Sequence, residues 1–302
     1  MFGRFRTPSA HTERGHRVTG TTGGQPLTPW LFTTGTSSFM EFIERYDPDL
    51  MPGRGKRAAG APGLTEDQIP HGTTVLALTY ADGVMMAGDR RATMGNLIAQ
   101  RDLEKVYPAD EHTAVAFAGT VGLALDMVKL YQVELAHFEK VEGTTMTLDG
   151  KANRLATMIR NNLGQAMQGL TVVPMLAGYD LLAPEGKQGR IFSYDVTGGP
   201  YEMQDFHSVG SGSPYARGAL KKLYRPGLSR REAALAALQA LYDAADDDTA
   251  TGGPDISRRI FPIVASITEE GYERMDEANT EELSRLVVEQ RSRQPEGPTV
   301  AL

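Results

Sequence analysis

Past residue 72 the chain alternates short β-rich runs with longer stretches whose apolar residues recur at helical spacing. The runs at 74–79 and 84–87 are joined by Asp82-Gly83, and Asp-Gly between two such runs predicts a tight hairpin. A further strand is expected at 113–118, ending in Gly119. Two helices should follow. The first, over 121–141, carries Leu123, Met127, Leu130, Tyr131 and Leu135; the second, over 151–167, carries Leu155, Ile159, Leu163 and Met167. Such stripes read as core faces rather than cofactor boxes. Strands resume at 172–179 and 190–195, and past a Gly198-Gly199-Pro200 turn at 201–206. Helices near 215–223 and over 229–245, a strand at 260–267 and a helix at 280–290 complete the pattern. Blocks segregated in this way predict an α+β fold in which two antiparallel sheets pack together with helices outside them.

Residues 1–72 differ. They hold 11 Gly and 7 Pro, close to the composition at which a chain stops packing. Only Ser38-Phe39-Met40-Glu41 departs from loop character, with the form of a capping box. Phe39, Phe42, Ile43 and Tyr46 then share one face, and Asp47-Pro48 ends it. A helix over 38–47 is too short to be stable alone. It reads either as packing on its own domain or, in the preferred reading, as a clamp that docks on a neighbouring subunit during assembly. The expected organisation is a leader (1–72), a folded domain (73–291) and a disordered tail (292–302) containing Pro295 and Pro298.

Composition narrows the chemistry. The chain has 302 residues, a net charge of −7 and 40% hydrophobic residues, ordinary for a globular protein with one large core. The leader carries +1 (8 basic, 7 acidic) and residues 73–302 carry −8 (23 basic, 31 acidic), which argues against a nucleic-acid binder. The absence of cysteine excludes thiol catalysis, disulfides and cysteine-ligated zinc. No apolar run approaches the roughly 20 residues of a membrane span. The basic N-terminus lacks the apolar segment of a secretory signal, so the cytoplasm is the expected location. The six histidines show no metal-ligand spacing, and neither metal nor cofactor is called for. In the run Asp246-Asp247-Asp248 the last residue is expected to turn inward and the other two to be solvated. The loop 209–214 (VGSGSP) fits neither a P-loop nor a G-x-S-x-G elbow.

The chemistry concentrates in 71–105. Thr73 follows Gly72 at the head of the hairpin, Asp89 emerges from its second strand within Gly88-Asp89-Arg90-Arg91, and Lys105 lies sixteen residues further on. A threonine hydroxyl needs a base beside it. Cutting the chain between Gly72 and Thr73 would place an α-amine, with a reference pKa of about 7.7–8.0, on the same residue as the hydroxyl. Lys105 would lower that pKa by like-charge repulsion, and Asp89 would hold the lysine protonated and oriented. Glycine at 72 leaves the bend for attack on its own carbonyl unobstructed. On spacing alone, Gly-Thr-Thr describes an ordinary strand start equally well.

The ordered set G-T-T-V, G-D-R-R, a lysine, A-G at 118–119, G-S-G-S-P and D-x-A-T-G resembles a proteasome β-subunit of the actinobacterial type with a long propeptide. The resemblance runs from about Gly72 to about Ile267. It implies the four-layer α-β-β-α sandwich of N-terminal nucleophile hydrolases. It also implies Thr73 as nucleophile and, once freed, proton acceptor, with Asp89 and Lys105 beside it and Arg91 in support. The Gly119 N–H becomes an oxyanion-hole donor, and Ser211 and Asp248 support the terminal amine. Thr251 stands where the family often has serine, keeping the hydroxyl and adding a methyl.

The implied activity is that of a threonine endopeptidase made as a precursor that cuts its own Gly72–Thr73 bond. The implied assembly is a barrel of four seven-membered rings, two of this chain and two of an α-subunit, served by a ring ATPase that delivers tagged proteins. Phe117, Val121 and Leu125 are expected to line an apolar substrate pocket, although core packing explains them equally. A non-catalytic ring subunit, the simpler ATPase-dependent bacterial peptidase that also begins Thr-Thr, and a small-amide hydrolase are the rival readings.

Overall fold

The computed structural model describes residues 72–295. The helix expected over 38–47 and most of the tail lie outside them. The hairpin forms as β1 (Thr74–Tyr80) and β2 (Gly83–Gly88), paired antiparallel with Val75 opposite Gly88 and Tyr80 opposite Gly83. Its residues alternate. Leu76, Leu78 and Met85 face a helical layer, whereas Val75, Ala77, Val84 and Met86 face a second sheet. Both faces are buried, which is why the runs are almost wholly apolar.

Three further pieces follow the hairpin: β3 (Ala92–Met94) with β4 (Leu97–Gln100), and β5 (Val106–Asp110). Next come β6 (Thr113–Gly119), α1 (Val121–Glu142), α2 (Leu148–Asn161) and the single turn α3 (Leu163–Ala166). Strands β7 (Val172–Tyr179), β8 (Gly189–Tyr194), β9 (Pro200–Met203) and β10 (Phe206–Gly210) precede α4 (Ser213–Leu223) and α5 (Arg230–Asp247). The described chain closes with β11 (Ile263–Thr268), β12 (Gly271–Arg274) and α6 (Glu277–Arg293).

One sheet has the order β10-β1-β2-β11-β12 and the other β5-β6-β7-β8-β9. Helices α4, α5 and α6 cover the first and α1 and α2 cover the second. Between the sheets lies a layer of small and β-branched residues, among them Ala114, Ala116, Ile191, Ile263 and Ala265. This is the expected four-layer α-β-β-α sandwich of N-terminal nucleophile hydrolases.

The differences from expectation have local causes. The run 201–206 divides into β9 and β10, which belong to different sheets, so the chain crosses from one layer to the other there. The helix expected over 151–167 breaks at Asn162, whose side-chain amide donates to the Met158 carbonyl, and Met167 is exposed. On α1 the buried stripe is Ala124, Met127, Val128, Tyr131 and Leu135, with Leu130 turned outward. Helix α6 continues through Ser292 and Arg293, past the expected domain end. Buried Arg291 anchors this last turn by an ion pair with Asp243 and a hydrogen bond to the Pro295 carbonyl. Among the described residues no helix is long and apolar enough to cross a membrane.

Candidate active site

The strand ends of the two sheets bring the nominated groups together. Thr73 immediately precedes β1, Asp89 follows β2 and Lys105 precedes β5. All three are buried, Asp89 completely. Lys105 Nζ lies 2.6 Å from Asp89 Oδ1 and also donates to the carbonyls of Gly72 (3.1 Å) and Arg91 (2.5 Å). Burial pulls the Lys105 ammonium below its ordinary pKa, and the neighbouring Asp89 carboxylate opposes that pull.

Asp89 is a structural hub as well as a counter-charge. Its Oδ1 accepts from the Thr74 N–H (2.8 Å), and its Oδ2 accepts from the N–H groups of Arg91 (2.9 Å) and Gly252 (2.8 Å). The Asp89 N–H donates in turn to the Thr74 carbonyl at 3.1 Å. The carboxylate thereby ties the start of β1 to the 248–252 loop. Arg91 serves the same loop, donating from Nη1 to the Thr249 carbonyl (3.0 Å).

The Gly72–Thr73 junction sits inside this arrangement. The Thr73 hydroxyl donates to the Gly72 carbonyl at 2.5 Å, and Lys105 reaches the same oxygen. Gly72 has φ 103°, and a Cβ there would stand 2.4 Å from Thr93 Oγ1 and 3.0 Å from Ala250 Cβ. Neither the backbone conformation nor the space admits another residue without displacement.

On the other side of Thr73 its carbonyl accepts from the Ser211 N–H at 3.0 Å. Ser211 Oγ donates to Asp248 Oδ2 at 2.6 Å, and Thr251 Oγ1 donates to the same oxygen at 2.6 Å. The hydroxyl at 251 is therefore in use, and its methyl does not keep it from the carboxylate. Asp248 is half-buried while Asp246 and Asp247 are exposed, as the sequence pattern predicts.

Gly119 ends β6 with φ 102°; a Cβ there would meet the Thr171 carbonyl oxygen at 2.1 Å. It shares a cleft with Thr73 and Lys105, whose apolar wall includes Leu103, Phe117, Val121, Ala124 and Leu125. All three nominated pocket residues thus line it. Leu103, Glu104 and Tyr107 also line it and were missed, because the β4–β5 segment gave no periodic signal. Thr74 was read only as the first strand residue, yet its side chain bonds to Thr251 (2.6 Å). Among the described residues no cluster of histidine and carboxylates could hold a metal ion.

Comparison with known proteins identifies the family. The family profile "Proteasome subunit" matches residues 69–256. The chain is 72% identical over 281 residues to "Proteasome subunit beta 1" of Streptomyces avermitilis, covering 93% of this chain and 98% of that one. It is 56% identical over 279 residues to "Proteasome subunit beta 2" of Thermomonospora curvata, covering 92% and 98%. With "Proteasome subunit beta" of Streptomyces griseus it shares 54% identity over 284 residues, covering 94% and 98%. A match of this extent, on a fold that gathers the G-T-T, G-D-R-R, lysine and D-x-A-T-G motifs at the ends of neighbouring strands, places the chain in the proteasome subunit family, among its β-subunits.

Proposed function

We propose that the chain is a catalytic threonine endopeptidase subunit, made as a precursor with residues 1–72 as its propeptide. The observation that carries this reading is the Gly72 carbonyl held between the Thr73 hydroxyl and Lys105, with Asp89 behind the lysine. In the precursor, Thr73 Oγ1 adds to the Gly72 carbonyl carbon and the peptide nitrogen leaves as the amine of Thr73. Water then hydrolyses the resulting ester, releasing the leader with a Gly72 carboxylate.

The freed amine is the general base of the mature enzyme. It takes the proton from Oγ1 as the oxygen attacks a substrate carbonyl, and the Gly119 N–H stabilises the oxyanion. The same amine protonates the leaving amine, and water attacking the acyl-enzyme regenerates Thr73. Lys105 biases the amine toward its neutral form and Asp89 fixes the lysine. Ser211, Asp248 and Thr251 orient the amine from the opposite side, and Arg91 braces their loop. The apolar wall of the cleft favours apolar side chains before the cut.

The assembly proposed with it, by likeness to the family, is rings of seven copies, stacked with α-subunit rings and fed with tagged proteins by a ring ATPase in the cytoplasm. A non-catalytic ring subunit is the alternative, and retention of Thr73 and Lys105 on the Gly72 carbonyl, with Asp89 paired to the lysine, speaks against it. Intact-mass measurement of the chain purified with and without its α partner tests both readings. The wild type should yield a mature chain beginning at Thr73, and Thr73→Ala should keep its leader and hydrolyse no peptide. A leader lost equally from both would assign its removal to another protease, and peptide hydrolysis by Thr73→Ala would refute the nucleophile assignment.

A further inference from the structure

Thr74 is completely buried, and every polar atom of the residue that could order the site is engaged. Its N–H and carbonyl are held by Asp89. Its Oγ1 lies 2.6 Å from Thr251 Oγ1 and accepts from the Gly212 N–H at 3.0 Å. The direction of the remaining protons follows from counting donors. Gly212 N–H can only donate. Thr251 has one hydroxyl proton, and it goes to the Asp248 carboxylate at 2.6 Å, which cannot donate when ionised. The proton between Thr74 and Thr251 must therefore belong to Thr74.

The chain of donors runs Gly212 N–H, Thr74 O–H, Thr251 O–H, Asp248. Ser211 reaches the same Asp248 oxygen from the other side at 2.6 Å, in preference to the Thr73 carbonyl at 3.4 Å. With its proton on Asp248, Ser211 Oγ offers only lone pairs to anything beside it. The Ser211 main chain is itself bonded to the Thr73 carbonyl, which keeps this loop beside the residue whose amine cleavage would create. A Cβ at Gly212 would stand 2.4 Å from Thr74 Oγ1 and 2.7 Å from Thr251 Oγ1, so only glycine lets the backbone approach the two hydroxyls this closely.

We propose that Thr74 is a positioning residue for the terminal amine of Thr73, its hydroxyl holding Thr251, and through it Asp248 and Ser211, in place. The proposal rests on the reading of Thr73 as nucleophile and base. Thr74 touches neither the substrate nor the reacting atoms. Its loss would strand the Gly212 N–H beside the loop that carries Ser211. An acceptor aimed at the amine, backed by a carboxylate, favours the ammonium form, so disorder there lowers the amine pKa.

The test uses the assembled particle with Thr74→Val, which removes the hydroxyl at nearly constant shape, and Thr74→Ser, which keeps it. Rates are expressed per mature chain counted by intact mass. Thr74→Val should lower kcat about tenfold, with KM within about twofold, and move the acidic limb of kcat/KM to lower pH. Thr74→Ser should restore both. Wild-type kcat and pH profile in Thr74→Val, or an equal loss in Thr74→Ser, would overturn the proposal. If Thr74→Val fails to assemble, Thr74→Ala against Thr74→Ser isolates the same hydroxyl and is judged by the same readouts. Thr73→Ala separates the two layers of argument: an inactive Thr73→Ala beside a fully active Thr74→Val sinks this proposal alone, whereas an active Thr73→Ala sinks the reading beneath it.

Discussion

Lys105 Nζ stands 2.6 Å from Asp89 Oδ1, and the same carboxylate accepts three main-chain N–H groups from Thr74, Arg91 and Gly252. A buried ion pair gains little over an apolar pair, but removing one partner leaves an uncompensated charge. Asp89→Asn should therefore destabilise the unprocessed chain by about 3–5 kcal/mol. The urea midpoint of the purified precursor measures this, and mass measurement should find its leader retained. A loss below about 0.5 kcal/mol, the ordinary scatter of surface changes, would show that the pair is not bearing on the fold.

The helical layers carry a separate part of the stability. Leu155 on α2 is fully buried among Tyr131, Leu176 and Phe192. Leu155→Ala should cost about 2–5 kcal/mol through lost burial and the cavity left behind. Leu182, 82% exposed in the turn between β7 and β8, should tolerate alanine within about 0.5 kcal/mol. Denaturant midpoints for the two variants decide the contrast, and equal losses would contradict the layer assignment.

Much of this architecture was legible because burial leaves a periodic trace. The β1–β2 hairpin showed in its Asp-Gly turn, and α5 showed in the helical spacing of its apolar residues, whereas the capping box of Ser229 and Glu232 that starts it went unread. The site was legible where one short segment held its groups, as with Thr73, Asp89 and Lys105. It was illegible where tertiary contact decides. The hairpin β3–β4 has its second strand wholly exposed, so no alternation marks it. The crossing between β9 and β10 depends on which sheet edge is free. The use of the Thr74 hydroxyl depends on a partner 177 residues away.

The cleft beside Thr73 makes a prediction about selectivity. Leu103, Phe117, Ala124 and Leu125 form its apolar wall, and Glu104, which also lines it, is engaged by Arg274 at 2.7 Å. Peptides with Leu or Tyr before the cut should be hydrolysed with higher kcat/KM than those with Glu or Arg. Val121 lines the same cleft and is the first residue of α1, where a carboxylate is tolerated by the helix dipole. Val121→Asp should keep the fold and raise the Arg-to-Leu ratio of kcat/KM by about tenfold. An unchanged ratio in that variant, or Glu or Arg preferred by the wild type, would move the substrate side chain out of this cleft.

Activity and stability should respond to alkali with opposite signs. Under the proposed mechanism kcat/KM rises as the Thr73 amine loses its proton, near or below its reference value of about 7.7–8.0. It falls again as Lys105 loses its own. Burial holds the Lys105 pKa below 10.5, so the alkaline limb belongs below that value. The charged lysine predominates below its folded pKa, and activity that needs it is lost as pH rises through that point. For stability the same shift acts the other way. Between the folded pKa and 10.5 the unfolded chain binds more protons than the folded one, so this residue's contribution to stability increases with pH. Tyr80, pushed by burial up to about 12, works in the opposite sense above its usual range, because there the folded chain holds the extra proton. The comparison is therefore made between about pH 8 and 9, where tyrosine in the unfolded chain is still largely protonated. Paired kcat/KM and urea-midpoint profiles should show activity falling without a parallel fall in midpoint. A midpoint that drops in step with activity, or an alkaline limb at or above 10.5, would remove Lys105 from the assignment.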